Sequence, residues 1–321
     1  MKTRRLFYED VYILEFEAIV LSCEEKDGKY HVILNATAFY PEGGGQPADK
    51  GMIDNIPVVD VQYIDGELCH IMESPLEEGA QVVGKIDWNW RFDLMQQHSG
   101  EHIVSGMIHE KYGYENVGFH MGEEIITIDL SGMLTWQQVQ EIEKKVNYYI
   151  WMNQQVNIFY PDERQRKFIP YRSKKELTGE FRVVEVPGAD LCACWGLHVT
   201  HASQIGLVKI LSCKKFRDGV RMEMLSGKRA LDYLSGSTEQ NSQIAVSLSV
   251  KENETKEAVQ RLLDEVYDLK GQLAQEKQKS FEVKAASFAG KGNVLLIEDT
   301  MEAAEVRKCT DSILNTCGGL A

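Results

Sequence analysis

The stretch RFDLMQQHSGEHIVSGMIH, residues 91–109, carries two histidines four positions apart in a run with helical apolar spacing. The apolar residues that set this spacing are Phe92, Met95, Ile103 and Met107. Residues four apart share one face of a helix, so His98 and His102 can point at one ion. Two imidazoles make half of a zinc site. A pair of surface histidines fits the spacing equally well, so the decision depends on a second half elsewhere in the chain.

A second pair of ligand-type residues stands in CWGLH, where Cys194 and His198 are also four apart. Zinc takes a tetrahedral set of nitrogen and sulfur ligands, four from the protein in structural sites and usually three plus water in catalytic sites. The two pairs together predict a zinc site built from His98, His102, Cys194 and His198. The competing ligand candidates are Cys192 and His201.

The composition is that of a soluble globular protein, with 43% hydrophobic and 26% charged residues among 321. A chain of this length is expected to form two or three domains. The N-terminus has no signal-peptide pattern, and no run approaches the roughly 20 apolar residues that span a bilayer. The sequence therefore predicts a cytoplasmic protein with no membrane partner. Seven irregularly spaced cysteines favour free thiols or metal ligands over a disulfide framework.

The net charge of −14 argues against a simple assignment to nucleic-acid binding, because phosphate contacts need positive charge. Basic residues are nevertheless concentrated in two segments. The first contains Arg164, Arg166, Lys167, Arg172, Lys174 and Lys175. The second contains Lys209, Lys214, Lys215, Arg217, Arg221, Lys228 and Arg229. Such runs are ordinarily a solvated face, so they indicate a binding surface only together with other evidence.

Residues 1–88 are predicted to form a small β-barrel. Short alternating or β-branched runs are separated by turn signals at Asp27-Gly28, Asp54-Asn55 and Asp65-Gly66. Between the runs lies PEGGGQPADKG, residues 41–51. Three consecutive glycines are conformationally costly and mark a loop whose backbone must approach something closely.

Residues 89–235 are predicted to form an α+β domain that begins with the histidine-bearing helix. A strand in EEIITIDLSG, a helix over 135–153 behind the cap residue Thr135, and strands in NIFYP and FRVVEVPG follow. A further strand is predicted from Gly206, and it is followed by another strand, a turn at Gly227 and a helix.

The composition changes after residue 235. Val259, Leu262, Val266, Leu269 and Leu273 follow the 3-4 spacing of a two-heptad seam. Residues 236–285 are therefore predicted to be a coiled-coil linker that forms a helical hairpin or a homodimer contact. Residues 286–321 read as a strand followed by a helix, the start of an incomplete α/β domain.

The sequence HSGEH also fits the pattern H-x-x-E-H, in which Glu101 would be the general base of a metalloprotease. That family requires a distant Glu as third ligand and has no use for a triple-glycine loop.

Three signatures together resemble the editing half of alanyl-tRNA synthetases and the free-standing AlaX proteins. They are TAFYPEGGGQPAD at residues 37–49, HSGEH at 98–102 and CWGLHV at 194–199. The family usually has C-G-G-T-H-V in the third, so Trp195 and Leu197 are departures that keep both ligands. The resemblance covers residues 1–235 and implies a barrel followed by the editing domain shared with threonyl-tRNA synthetases. With the barrel starting at residue 1, we expect a stand-alone editor of the long AlaX form that does not charge tRNA.

The resemblance implies a deacylase that hydrolyses serine, and possibly glycine, from alanine tRNA with one zinc ion per chain. Thr37 is expected to contact the serine hydroxyl and Gln46 to order the water or ribose. The amides of Gly43, Gly44 and Gly45 are expected to approach the terminal ribose and phosphate. The residues expected to shape the pocket or contact the acceptor end are His120, Asp129 and Arg221.

Two other functions fit the same sequence. An editor of another aminoacyl-tRNA would share the site but read a different acceptor stem. A non-catalytic tRNA-binding relative would keep the fold without hydrolysis. The residues also leave open whether zinc acts as a Lewis acid or positions the substrate.

Overall fold

The computed structural model describes residues 2–173 and 181–319. Contacts divide the chain into two compact units, residues 1–235 and 236–321, with the division inside one long helix. The strands are β1 (Arg4–Arg5), β2 (Glu15–Lys26), β3 (Lys29–Leu34), β4 (Ala36–Thr37), β5 (Gly51–Ile53), β6 (Ile56–Ile64), β7 (Glu67–Met72), β8 (Gln81–Ile86), β9 (Asn116–Met121), β10 (Ile126–Leu130), β11 (Asn157–Phe159), β12 (Val183–Val186), β13 (Asp190–Ala193), β14 (Val208–Phe216) and β15 (Gly219–Ser226). The helices are α1 (Trp88–Tyr112), α2 (Trp136–Trp151), α3 (Glu163–Arg166), α4 (Gly227–Leu248), α5 (Thr255–Ser287) and α6 (Ala303–Cys317).

Six antiparallel strands at the start of the chain close on themselves in the order β2-β3-β7-β6-β5-β8. The three predicted turns join successive strands with both central residues at positive φ: 52° and 75° at Asp27-Gly28, 47° and 65° at Asp54-Asn55, and 51° and 85° at Asp65-Gly66. This turn geometry matches the right-handed twist of a hairpin. The turn predictions are confirmed.

The helix α1 is the central element of the first unit, and its side chains are buried continuously from Leu94 to Ile108. Asp87 caps its N-terminus by accepting a hydrogen bond from Trp90 N. Two glycines let the helix lie directly on its neighbours: a Cβ at Gly100 would stand 2.1 Å from Ser226 Oγ, and one at Gly106 would stand 2.2 Å from Ala189 O. The helix predicted from residues 91–109 is confirmed.

A buried ion pair ties α1 to the strands that precede it. Arg91, in the first turn, donates to Asp49 in the segment after the glycine loop, and both side chains are fully buried. Arg91 also donates to the carbonyl of Val11 at 3.1 Å, while Asp49 accepts the amide of Tyr40 at 2.6 Å. The histidine-bearing helix and the glycine loop are therefore held in one fixed relation.

The first unit also contains one sheet in the order β14-β15-β10-β9, one in the order β11-β12-β13 and the short parallel pair β1-β4. The helix α2 packs on β14 and begins at the predicted cap, where Thr135 and Gln138 form a reciprocal capping box. The predicted mixture of sheets and helices, an α+β fold, is confirmed.

In the second unit, α5 and α6 pack through a small apolar cluster. Its buried members are Phe281, Ala285, Cys309, Ile313 and Cys317. The strand predicted after residue 290 is wrong: residues 293–298 carry no strand assignment, and Leu295 and Ile297 are 87% and 79% exposed. A strand needs a neighbour to take its backbone hydrogen bonds, and the described part of this unit contains none. The predicted helix is confirmed as α6.

Candidate metal centre and its cavity

Four side chains converge where α1 meets the loop after β13. His98 and His102 come from α1, and Cys194 and His198 come from the loop. One ligand atom from each residue lies within 4.8 Å of all the others, and Cys194 Sγ is 3.4 Å from His98 Nε2. The four residues predicted as ligands are thus brought together in the folded chain.

Each imidazole of this cluster has its Nδ1 atom engaged by a different side chain. Gln46 Oε1 accepts from His98 at 2.9 Å, and Asp190 Oδ2 accepts from His102 at 2.9 Å. The Ser99 hydroxyl lies 3.2 Å from Nδ1 of His198. Because amide and carboxylate oxygens only accept, the first two rings carry their proton on Nδ1 and present Nε2 to the cluster. Partners of this kind orient metal-bound histidines.

The loop that carries the cysteine is fixed by the surrounding backbone and by glycine. A Cβ at Gly196 would stand 2.1 Å from His98 Cε1, so only glycine allows the imidazole to lie against this loop. The buried Arg182 donates to the carbonyls of Cys194 and Gly196 at 2.8 and 2.9 Å. The amide of Gly196 donates to Cys194 Sγ at 3.3 Å, which favours a thiolate.

The electrostatics of the cluster favour binding of a cation. Burial opposes the charged form of the Cys194 thiol, but the neighbouring imidazoles hold its pKa well below the ordinary value. Burial, together with the neighbouring imidazoles, lowers the pKa of His198 and keeps this ring neutral. Its Nε2 atom is buried without a hydrogen-bond partner among the described residues. A transition metal binds a thiolate and neutral imidazoles, so it would take the place of the proton that the raised pKa of His102 retains in the metal-free site.

A cavity of about 430 Å³ opens above the cluster, within the range of about 300–1,000 Å³ common for small-molecule sites. The described part of its lining includes Gly44, Gly45, His98, His102, Phe119, Ser173, Cys192, Ala193, Cys194 and Trp195. Ligand side chains, an aromatic wall and the glycine loop therefore share one space.

The glycine loop reaches this cavity as a tight turn. Gly43 and Gln46 exchange backbone hydrogen bonds of 3.1 and 3.0 Å, and Gly44 and Gly45 have φ of 63° and 84°. A Cβ at Gly45 would stand 2.9 Å from the ring of Phe119. The Gly43 amide was expected to approach the terminal ribose and phosphate. It does not have a free N–H for this contact, because the backbone carbonyl of Gln46 already accepts its hydrogen bond. The amides of Gly44 and Gly45 donate to no other described residue.

Two family models match the chain. Residues 4–90 match the class II (A) tRNA synthetases, and residues 181–222 match the threonyl and alanyl tRNA synthetase second additional domain. Curated relatives include the alanyl-tRNA editing protein Aarsd1-B of Xenopus laevis, 33% identical over 79% of this chain and 66% of its own length. The alanyl-tRNA editing protein AlaX-L of Pyrococcus horikoshii is 31% identical over 72% of this chain and 60% of its own length. The alanine–tRNA ligase of Ignicoccus hospitalis is 35% identical over 72% of this chain and 26% of its own length.

This chain contains domains of two tRNA synthetase families, the class II (A) synthetases and the threonyl and alanyl second additional domain, and its relatives include alanyl-tRNA editing proteins. It spans less than two thirds of the length of each of these relatives, at 66%, 60% and 26%. No described helix is both long and apolar enough to cross a membrane.

The two competing ligand candidates, Cys192 and His201, lie outside the four-residue cluster. Cys192 is close to His102 and Asp190, but burial raises the pKa of its thiol, so it is protonated where Cys194 is ionised. His201 is exposed, with Nδ1 3.3 Å from the Thr200 hydroxyl. All seven cysteines are free, as the sequence predicted.

The side chains of Thr37 and Gln46, which were expected to contact the substrate, lie in the interior of the protein. Both are fully buried. The Thr37 hydroxyl donates to His70 Nε2 at 2.8 Å and accepts the Phe39 amide at 3.1 Å, which leaves one lone pair. Gln46 Oε1 is used by His98 and by the amide of Leu197 at 3.0 Å. Its oxygen therefore positions a ligand, while its buried Nε2 has no hydrogen-bond partner among the described residues, and the contact of Gln46 with water or ribose stays a prediction.

The three expected pocket residues are not brought to the cavity. Asp129 and Arg221 face each other on neighbouring strands and form two hydrogen bonds of 2.6 and 2.7 Å. Each side chain satisfies the charge of the other, and their expected role at the substrate stays a prediction. His120 is exposed at the end of β9 and lines a separate depression with Lys50 and Trp90.

Five of the eleven described basic residues in the two predicted segments are paired with carboxylates. The ion pairs are Arg172–Asp190, Lys209–Glu143, Arg221–Asp129, Lys228–Asp232 and Arg229–Asp93. Lys174 and Lys175 lie outside the described residues. The second basic segment keeps Lys214, Lys215 and Arg217 near the β14–β15 turn, with no ion pair to a described carboxylate.

The sequence did not single out Asp190, Ser99 or Arg182, although all three support the ligands. The alternation of strand β13 offered one signal, because Asp190 and Cys192 fall on its buried face two residues apart. Glu101, the base of the metalloprotease alternative, accepts from Ser105 Oγ at 2.5 Å and from Asn116. The family matches favour editing over that alternative.

Proposed function

We propose that this protein hydrolyses the ester that joins serine to alanine tRNA, using zinc held by His98, His102, Cys194 and His198. The observation that carries the proposal is the ligand cluster beneath a cavity that the glycine loop also lines. Relatives named alanyl-tRNA editing proteins support the same reaction class. In this proposal residues 1–88 provide the glycine loop and residues 89–235 the metal ligands, with residues 236–285 and 286–321 as helical and C-terminal parts.

The donor set fits zinc. Three imidazole nitrogens and one thiolate are zinc ligands, and the buried Nε2 atom of His198 has no other partner among the described residues. A zinc ion held there would supply Lewis acidity toward the ester carbonyl.

Hydrogen bonds from neighbouring side chains hold the ligand imidazoles in position. Gln46 and Asp190 hold two imidazoles in the tautomer that presents Nε2, so ligand geometry is set before substrate arrives. The amides of Gly44 and Gly45 are donors for the ribose or phosphate of the terminal nucleotide. The aromatic wall of the cavity excludes bulk water from the ester.

Such an activity is needed because a pocket that selects alanine has limited power to exclude serine. A hydrophobic pocket discriminates weakly against an isostere that adds a hydroxyl, so a second hydrolytic site is needed. That site must offer the serine hydroxyl a buried partner which alanine leaves unpaired. The remaining lone pair of Thr37 stays our prediction for this contact, and Thr37→Val tests it through the ratio of serine to alanine release.

The proposed partners are an aminoacylated tRNA and a second copy of this chain. Lys214, Lys215 and Arg217 are the basic residues we assign to the acceptor stem. The seam residues of α5 are between 40% and 55% exposed, as expected of a helix that packs against a copy of itself. The seam consists of Val259, Leu262, Val266, Leu269 and Leu273.

The experiment compares hydrolysis of Ser-tRNA(Ala), Ala-tRNA(Ala) and Ser-tRNA(Thr) by the zinc-loaded full chain. We expect rapid release of serine from the first and slow release from the other two. Faster hydrolysis of Ser-tRNA(Thr) would assign the site to another tRNA. Inertness toward all three with zinc bound would reject the enzymatic function.

A further inference from the structure

Trp195 directly follows the ligand Cys194 and lines the same cavity. Its side chain is only partly buried, beside a cluster in which the ligand histidines are buried. A large aromatic face is thus open toward the space above the proposed metal. Phe119, Gly44 and Gly45 line the same cavity.

The backbone that carries this indole is fixed by side chains from distant parts of the chain. The Tyr8 hydroxyl donates to the carbonyl of Trp195 at 2.9 Å. Arg182 donates to the carbonyls on either side, those of Cys194 and Gly196. Three consecutive carbonyls are therefore held, and the ring needs little ordering when a ligand binds.

Aromatic rings continue from Trp195 in two directions. The ring centroid of Tyr8 is 5.7 Å away and that of Tyr160 is 6.3 Å away, at tilts of 51° and 54°. Tyr160 is exposed, and the guanidinium of Arg5 lies 5.3 Å from the Tyr8 ring. Aromatic faces next to a positive charge are how proteins bind single-stranded nucleic acid.

We propose that Trp195 is the stacking surface for the unpaired base of the terminal nucleotide whose ester lies over the metal. The inference rests on the proposed function for the identity of the ligand. The base and the ester belong to one nucleotide, so the base must lie within one ribose of the cluster. Among the aromatic residues that line the cavity, Trp195 is adjacent in sequence to a ligand and has its backbone clamped. A serine side chain offers no flat surface that would use an indole.

The test measures binding of two probes without an amino acid to the zinc-loaded full chain. One probe is the trinucleotide CCA, and the other is the same oligonucleotide with an abasic 3′ residue, so the phosphate charge is identical. Stacking on an aromatic side chain corresponds to about 5- to 150-fold in affinity per base. We expect the wild type to prefer CCA by such a factor. Trp195→Leu and Trp195→Gly should remove the preference, and Trp195→Phe should keep most of it.

The matched control is Trp151→Leu, which removes an exposed tryptophan at the end of α2 and should leave the preference unchanged. Zinc content of each variant shows whether the ligand loop is intact, and glycine at 195 is the usual residue of the family motif. Equal binding of both probes by the wild type, or an unchanged preference in Trp195→Leu and Trp195→Gly, overturns the proposal. Failure of the proposed function is seen separately, as a wild type that releases no serine.

Discussion

The carboxylate of Asp190 binds the side chains of His102 and Arg172, which the sequence assigned to the metal site and to a basic segment. One of its oxygens accepts from His102 at 2.9 Å and the other accepts from Arg172 at 2.7 Å. The carboxylate orients the imidazole, while the guanidinium holds the carboxylate in place. Burial opposes a charged His102, but bonds to Asp190 and Cys194 raise its pKa to about 10. Asp190 thus raises the pKa of His102 from outside the ligand set.

We predict that Asp190→Asn weakens zinc binding by about 10- to 100-fold, the usual effect of removing such a partner. The physical reason is that the amide no longer fixes the tautomer of His102. Competition with a chelator measures the affinity. Asp129→Asn is the matched control, because it also breaks an aspartate–arginine pair but lies away from the cluster. Equal zinc affinity in the two variants would contradict the assigned role of Asp190.

At the scale of residues, the sequence predicted the candidate ligands but could not rank them. The spacing of His98 with His102 and of Cys194 with His198 is a local property, so it could be read directly. Cys192 remained a competitor because its protonation depends on burial and on charges from distant segments. The role of Gln46 was missed for a similar reason: its partner His98 is 52 residues away.

At the scale of elements, the close packing of α1 determines where its histidines lie. Gly106 faces the backbone of Ala189, next to Asp190, with no space for a side chain. Gly271, in the middle of α5, has nothing within 4 Å of its position for a Cβ. The same substitution is therefore expected to have opposite effects in the two helices.

We predict that Gly106→Ala lowers the free energy of unfolding by about 1–3 kcal/mol, because the added methyl group overpacks a backbone contact. Gly271→Ala should raise it by about 0.5–1 kcal/mol, since alanine is the better helix former at an open position. Urea denaturation followed by circular dichroism measures both. A neutral Gly106→Ala would show that α1 can move away from β13 without cost.

Elements that depend on local chemistry were predicted well. The three hairpin turns follow from residues that tolerate positive φ, and α2 begins where its capping box allows. The strand expected after residue 290 did not form, because strand formation depends on a partner that the local pattern does not encode. The continuous burial of α1 was also not readable, since small residues on several faces, such as Gly100, reveal nothing until their neighbours are known.

At the scale of the whole molecule, His70 links stability to pH. Burial lowers its pKa from 6.5 to about 4, and its Nδ1 donates to Val32 O while its Nε2 accepts from Thr37. In the unfolded chain His70 becomes protonated below pH 6.5, whereas in the folded chain it becomes protonated only at about pH 4. Stability is therefore complete above pH 6.5 and is lost as the pH falls through that window.

We predict that protonation of this one group lowers the free energy of unfolding by about 3 kcal/mol between the two ends of the window. The reason is that each pH unit separating the folded and unfolded pKa values contributes about 1.36 kcal/mol. The measurement is urea unfolding at several pH values, with chelator present so that metal release does not contribute. His70→Gln serves as the reference, because it lacks the titrating group. Parallel pH profiles for the two proteins would contradict the assignment.

The exposed seam of α5 predicts that the protein forms a homodimer. Val266→Lys places a charge in the seam and should convert a dimer to a monomer, because a buried lysine without a partner is costly. Tyr267→Lys is the matched control on the adjacent position, where the side chain is 78% exposed. Sedimentation velocity measures both. A wild type that sediments as a monomer at all concentrations would remove the proposed homodimer.

The overall charge of −14 does not describe the individual surfaces, because charges act where they are placed. Several basic residues of the two predicted segments are neutralised by nearby carboxylates, a pairing that sequence order does not reveal. The cavity is instead lined by backbone, aromatic rings and the ligand cluster.

The most direct test of the account is the rate of serine release from Ser-tRNA(Ala) as zinc is titrated into the metal-free full chain. We predict a rate near background without metal and a linear rise that ends at one zinc per chain. The same titration of a His98→Ala, His102→Ala double variant should stay at background. A rate that is independent of zinc, or one that the double variant reproduces, would contradict the claim that these ligands form the hydrolytic site.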